Sequence, residues 1–172
     1  YTTWSAVPGG VYAITNDDDA VGDAAYNALV PDLLGYCKGR LMAAVSNAIY
    51  NIVSGSSPAA LFTHDNTDWV WVGFCSGDTC IYAAGYSGDY SAVYRIPIKA
   101  DGTGLDAPVQ AGELPKGETA LCIVSYLGLV FVGTTVGLRL ATQGSSGELT
   151  IGSALPVGPV RCAQGDGRFI WF

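Results

Sequence analysis

A short β-rich unit recurs along the chain, and this repeat limits the available folds more than any other feature. Gly39-Arg40-Leu41-Met42-Ala43-Ala44-Val45 has a counterpart in Gly128-Leu129-Val130-Phe131-Val132-Gly133-Thr134 and another in Gly167-Arg168-Phe169-Ile170-Trp171-Phe172. A shift of 89 positions also lays Gly55-Ser56-Ser57 on Gly144-Ser145-Ser146 without a gap. Leu114-Pro115-Lys116-Gly117 returns 41 residues on as Leu155-Pro156-Val157-Gly158. A spacing near 41, with 89 about twice that, lies in the range of propeller blades. Units of this kind bury a core only by stacking on their neighbours.

From residue 33 onward, short apolar runs are broken by Gly, Ser, Asn and Asp, the pattern of strands and tight turns. The pattern predicts strands over 41–46 and 49–53 joined at Asn47-Ala48, and a hairpin of 69–75 with 80–86. A strand over 92–98 contains Pro97, which predicts an edge strand because proline donates no ladder bond. Asp101-Gly102-Thr103-Gly104 forms a loop before 108–114. Strands then follow over 120–125, 129–133, 138–142, 149–155, 160–163 and 168–172. The expected fold is all-β, with propeller-like blades of four antiparallel strands at 33–62, 66–114 and 119–155 and a partial blade at 160–172. About three and a half blades fall short of a closed ring, so they are expected to be part of a larger one. The apolar run Phe169-Ile170-Trp171-Phe172 would leave an unpaired edge, which predicts a polypeptide continuing past it. Residues 1–32 are expected to end a preceding blade or domain. The start on Tyr1 fits a fragment or processed chain. Ala20 to Leu29 is Ala-rich behind Asp17-Asp18-Asp19 and has the character of a capped helix or an acidic surface loop, the loop being preferred.

Charged residues are 13% of the chain and the net charge is −7, with the eight basic residues scattered. Nucleic-acid binders need a clustered basic footprint, so no nucleic-acid partner is expected. Thr119 to Leu138 is 20 residues without a charge, the length of a membrane-spanning helix. Its glycines, valines and aromatics favour strands and turns instead, so no membrane insertion is expected. The five cysteines are too few and too odd in number for a disulfide scaffold. Cys37, Cys122 and Cys162 stand in apolar runs and read as small core residues. Cys75 and Cys80 flank a turn and are expected to face each other across two strands. With a single histidine and no second cysteine pair, no metal is expected.

Several motifs read as turns rather than chemistry. Gly102-Thr103-Gly104-Leu105-Asp106-Ala107 matches a dinucleotide fingerprint, but Pro108 and a strand follow where a helix must open, so no cofactor is expected. His64 beside Asp65 lacks a nucleophile elbow and reads as a polar turn between blades. Glu113, Glu118 and Glu148 lie beside glycine and read as solvated turn residues. Asp17-Asp18-Asp19 lacks the spaced ligands of a calcium loop. Tyr82, Tyr86, Tyr90 and Tyr94 cluster around one hairpin. Tyr82 and Tyr94 lie within strands and read as packing residues. Tyr86, Asp89 and Tyr90 border the turn and are the candidate binding residues, since tyrosine on a rigid loop offers amphipathic contact area.

Gly35-Tyr36-Cys37-Lys38-Gly39-Arg40-Leu41, Thr67-Asp68-Trp69-Val70-Trp71-Val72-Gly73-Phe74 and Ile81-Tyr82-Ala83-Ala84-Gly85-Tyr86-Ser87-Gly88-Asp89 resemble runs in minor tail proteins of actinobacterial siphophages. Val109-Gln110-Ala111-Gly112-Glu113-Leu114-Pro115 and Tyr126-Leu127-Gly128 resemble the same family. The resemblance spans residues 26–172 and leaves residues 1–25 uncovered. It implies a non-catalytic structural component of a phage tail tip, located in the virion and oligomeric there. Its partners would be other tail proteins and a host cell-surface glycan or protein. It supplies no catalytic residues. Two other readings compete: a propeller enzyme degrading glycan, with two carboxylates converging on one bond, and a bacterial surface adhesin.

Overall fold

The computed structural model describes residues 31–53 and 59–172. The predicted segment Ala20 to Leu29 and the acids Asp17-Asp18-Asp19 lie outside these residues. Every regular element among the described residues is a strand. The first sheet comprises β1 (Leu33–Cys37), β2 (Arg40–Val45), β3 (Ala48–Ile52) and β4 (Ala60–Thr63). The second holds β5 (Val70–Ser76), β6 (Cys80–Ser87), β7 (Tyr90–Pro97) and β8 (Val109–Glu113). The third holds β9 (Ala120–Tyr126), β10 (Leu129–Thr134), β11 (Leu138–Gln143) and β12 (Leu149–Leu155). A final hairpin pairs β13 (Gln164–Asp166) with β14 (Phe169–Trp171). Within each four-stranded sheet the strands follow chain order and pair antiparallel. The fold is therefore all-β and built of four-stranded, blade-like sheets.

Tight turns set this meander. Lys38 and Gly39 (φ 52° and 74°) join β1 to β2, and Leu127 and Gly128 (φ 50° and 76°) join β9 to β10. Two consecutive positive φ values make a type I′ turn, whose twist matches that of the flanking strands. The same turn at the same place in the first and third sheets is the structural form of the sequence repeat.

The sheets stack face to face. Met42, Ala44 and Ile49 of the first sheet pack against Trp71, Ile81, Ala83, Ala92 and Ile96 of the second. The opposite face of the second sheet carries Cys75, Tyr82, Ala84 and Val93. It packs against Ile123, Val130, Val132 and Ala141 of the third. Both faces of the second sheet are thus covered. This explains why β6 reads Cys-Ile-Tyr-Ala-Ala-Gly without polar alternation, all six residues being buried. Burial on two faces needs apolar residues at every position, whereas a half-buried strand alternates.

Glycines on the first strands let the layers approach. A Cβ at Gly35 of β1 would stand 2.9 Å from the Phe74 Cβ, and one at Gly73 of β5 would stand 2.9 Å from the Ile123 Cγ2. Tyr126 of β9 lies across Gly165 of β13 in the same manner.

Several local expectations are corrected by register. The β2–β3 turn is Ser46-Asn47, since Val45 pairs with Ala48. Pro97 does not mark an edge: β7 pairs with both β6 and β8, and proline sits harmlessly as its last residue. Cys75 pairs with Tyr82 and Cys80 with Pro97, so the two thiols are not cross-strand partners. All five cysteines are free; Cys37 is buried and Cys122 half-buried, but Cys162 is exposed and is not the core residue its apolar run predicts. The predicted strand at 160–163 falls instead at 164–166. Residues 119–138 form β9, β10 and the start of β11, and no helix among the described residues is long and apolar enough to cross a membrane.

Candidate functional site

Antiparallel order sends alternate connections to opposite ends of the stack. One end gathers the β2–β3 and β6–β7 turns, the β10–β11 connection, and the links between successive sheets. Each link is tied to the hairpin of the sheet it leaves. The Asn47 carbonyl accepts from His64 N at 3.0 Å, that of Asp89 from Gly117 N at 2.8 Å, and that of Thr134 from Val160 N at 3.0 Å. Side chains add to these ties. Asn47 Nδ2 donates to the His64 carbonyl at 2.6 Å, and Asn66 Nδ2 donates to Ser87 Oγ at 3.0 Å, bridging the first sheet's exit to the second sheet's turn. Loops held by a rigid scaffold are where binding residues concentrate.

The three predicted site residues lie at this end, but they do not form one surface. Tyr86 pairs with Ser91, while Tyr90 pairs with Ser87. Strand alternation therefore sends Tyr86 to the third-sheet side and Tyr90 to the first-sheet side. Tyr90 is half-buried, its ring centroid 6.1 Å from that of Trp69, and it packs against the core between the first two sheets. Burial raises its phenol above the ordinary value, with Glu113 adding to the effect. Tyr86 is also half-buried. Asp89 alone is fully at the surface, where Lys116 Nζ approaches its carboxylate at 3.3 Å. The turn therefore offers a charged tip flanked by two aromatic shoulders on opposite faces.

Beside it lies an aromatic box that the sequence reading missed. The His64 ring stacks on Trp69 at 4.2 Å with planes 9° apart, and Phe62, Trp71 and Tyr94 close around it. His64 Nδ1 accepts from Asn66 N at 3.0 Å, which leaves the ring proton on Nε2, 2.9 Å from the Tyr94 hydroxyl. Burial lowers the His64 pKa, so the ring is held neutral against weaker opposing effects from Asn66 and Asp65. His64 is thus a packed linker residue. Strand alternation in Trp69-Val70-Trp71 carried a signal for this box, since both indoles fall on one side.

A cleft of about 330 Å³ opens between the first two sheets, lined by Asp32, Ala44, Ser46, Trp69, Val70 and Trp71. Asp32 Oδ2 accepts from Ser46 N at 2.7 Å. The Trp69 and Trp71 indole N–H groups are buried without a hydrogen-bond partner among the described residues.

The link between the second and third sheets carries Glu118, which is buried rather than solvated. Arg139 Nε and Nη2 reach its two carboxylate oxygens at 2.7 and 2.6 Å, and the Thr134 hydroxyl donates to Oε1. Burial alone would raise the Glu118 carboxyl, but these bonds hold it below the usual carboxylate range. Geometry of this kind locks a loop, with both carboxylate oxygens bonded to protein. The Gly102 region forms the β7–β8 connection, with Gly102 at φ 70° and a bridge between Ile98 and Leu105. Among the described residues no cluster of three potential metal ligands occurs. No protein-family model matches the chain, and no curated protein matches it.

Proposed function

We propose that the protein is a structural, non-catalytic component of a phage tail tip, with its sheets acting as consecutive blades of a larger ring. The support is the resemblance of residues 26–172 to siphophage minor tail proteins together with one structural observation. Three four-stranded sheets stack into a continuous doubly cored scaffold that holds successive loops at one end by the same backbone bonds. A scaffold of this kind suits repeated presentation of contact loops. Several copies in one virion would convert weak single contacts with a host-surface glycan or protein into avid attachment. The β6–β7 turn, with Asp89 at its tip and Tyr86 and Tyr90 at its shoulders, is the proposed contact element.

Immunogold electron microscopy on intact virions, with antibody raised against this chain, tests the reading. Label at the distal tail tip is the expected result. Absence of label, with the antigen shown to be accessible, overturns it.

A further inference from the structure

The five thiols are not equivalent. Cys37, Cys75 and Cys80 are buried, Cys122 is half-buried and Cys162 is exposed. An oxidant therefore has direct access to Cys162, and Cys122 is the thiol the fold brings near it.

The approach follows from how the final link lies on the third sheet. Ile123 packs into the core shared with the second sheet. Alternation along β9 therefore puts Cys122 and Tyr126 on the opposite face, toward the last hairpin. The link is anchored on that face at two places. At the first, the Val160 carbonyl accepts from the Cys122 thiol at 3.7 Å, and the Cys122 sulfur and the Val160 side chain share the space over Gly133. Val160 N also donates to the Thr134 carbonyl at 3.0 Å. At the second anchor Gly165 lies against the Tyr126 ring, and the Tyr126 hydroxyl donates to the Gly167 carbonyl. Cys162 stands between the anchors, two residues past Val160 and so within about 7 Å of chain from it. Residues 159–163 belong to no strand, so Cys162 can turn onto Cys122 without breaking a ladder bond. The two sulfurs already sense each other: burial raises the Cys122 thiol above its ordinary value against a backbone bond from Gly133, and charge on Cys162 adds to the rise.

We propose that Cys122 and Cys162 form a redox clasp, closing to a disulfide that fastens the last hairpin to the third sheet. The oxidant is a small-molecule disulfide such as oxidised glutathione. The Cys162 thiolate attacks one of its sulfurs, forms a mixed disulfide and releases one glutathione. Cys122 then gives up its proton and attacks the Cys162 sulfur, releasing the second glutathione. Two protein thiols lose two electrons, one glutathione disulfide gains them, and the two thiol protons end on the two glutathiones released. The bridge joins residues far apart in sequence, so it restricts the unfolded chain and stabilises the folded one. This clasp is independent of the virion reading.

Oxidised glutathione applied to the folded full chain tests it. The intact monomer should lose the mass of two hydrogens. A tryptic digest without reductant should join residues 117–139 to residues 162–168, with Cys37, Cys75 and Cys80 still thiols. The thermal midpoint should rise by at least about 5 °C and fall back on adding dithiothreitol. Cys122→Ser and Cys162→Ser should each abolish both the bridge and the rise while leaving the midpoint of the reduced chain within about 2 °C. A Cys162 that stops at the glutathione adduct, or that bridges two molecules instead, overturns the proposal. So does a bridge that forms and leaves the midpoint unchanged.

Discussion

Substituting Glu118 with alanine tests how the link between the second and third sheets is held. The Arg139 and Glu118 side chains are only 13% and 5% exposed, and the guanidinium makes both of its carboxylate bonds at 2.6–2.7 Å. Removing the carboxylate leaves Arg139 with the Gly152 carbonyl at 2.6 Å as its remaining partner, and Thr134 loses an acceptor. Breaking a buried pair from one side costs about 3–5 kcal/mol, because the remaining charge is left uncompensated. The exposed Lys116–Asp89 pair, 85% and 63% exposed, sets the contrast and should contribute at most about 1 kcal/mol. Urea unfolding followed by the fluorescence of the buried Trp69 and Trp71 reads both. The double variant Glu118→Ala with Arg139→Met should recover much of the loss, since no orphan charge remains. The pH dependence supplies an independent check. A folded carboxyl held below its unfolded value of about 4.3 contributes stability that is complete above that value. The contribution is lost as pH falls through the lower folded value. Glu118→Gln should therefore flatten the stability profile below about pH 4.5. A loss below about 1 kcal/mol for Glu118→Ala, or an unchanged acid profile for Glu118→Gln, would refute the reasoning.

Other perturbations probe different links. Gly85→Ala places a Cβ 2.3 Å from Trp69 Nε1 and 2.8 Å from the Val70 carbonyl; it should destabilise by about 1–3 kcal/mol or more, measured by thermal unfolding. Tyr82→Phe removes the hydroxyl that donates to the Gly147 carbonyl at 2.9 Å between the second and third sheets, and urea titration should show a loss of about 1 kcal/mol. Leu127 holds φ 50° in a turn and is exposed; Leu127→Asn should raise the unfolding midpoint, a gain of about 0.5–1 kcal/mol, by relieving left-handed strain. His64, whose pKa is lowered by burial, should make the protein lose stability as pH falls below about 6.5. Below that pH the unfolded chain takes up a proton more readily than the folded one. His64→Gln should remove that slope between pH 7 and 5, as read by unfolding midpoints.

Much of the architecture is local in origin and so was legible in the residues. Type I′ turns are written in Lys38-Gly39 and Leu127-Gly128, four-strand units in the spacing of glycine-bounded apolar runs, and burial on both faces in the unbroken run of β6. Tertiary structure decided what each side chain faces, because a strand's face is set by register, and register depends on partners distant in the chain. It separated Tyr86 from Tyr90 and kept Cys75 from pairing with Cys80. It placed Pro97 at the end of an interior strand. Glu118 shows the limit most clearly: its glycine neighbour reads as a solvated turn, yet Arg139, 21 positions away, closes over it. Only the folding of the third sheet brings that guanidinium within reach. The aromatic box around His64 has the same origin, since Phe62, Trp69 and Tyr94 come from three strands or links that meet only when the first two sheets stack.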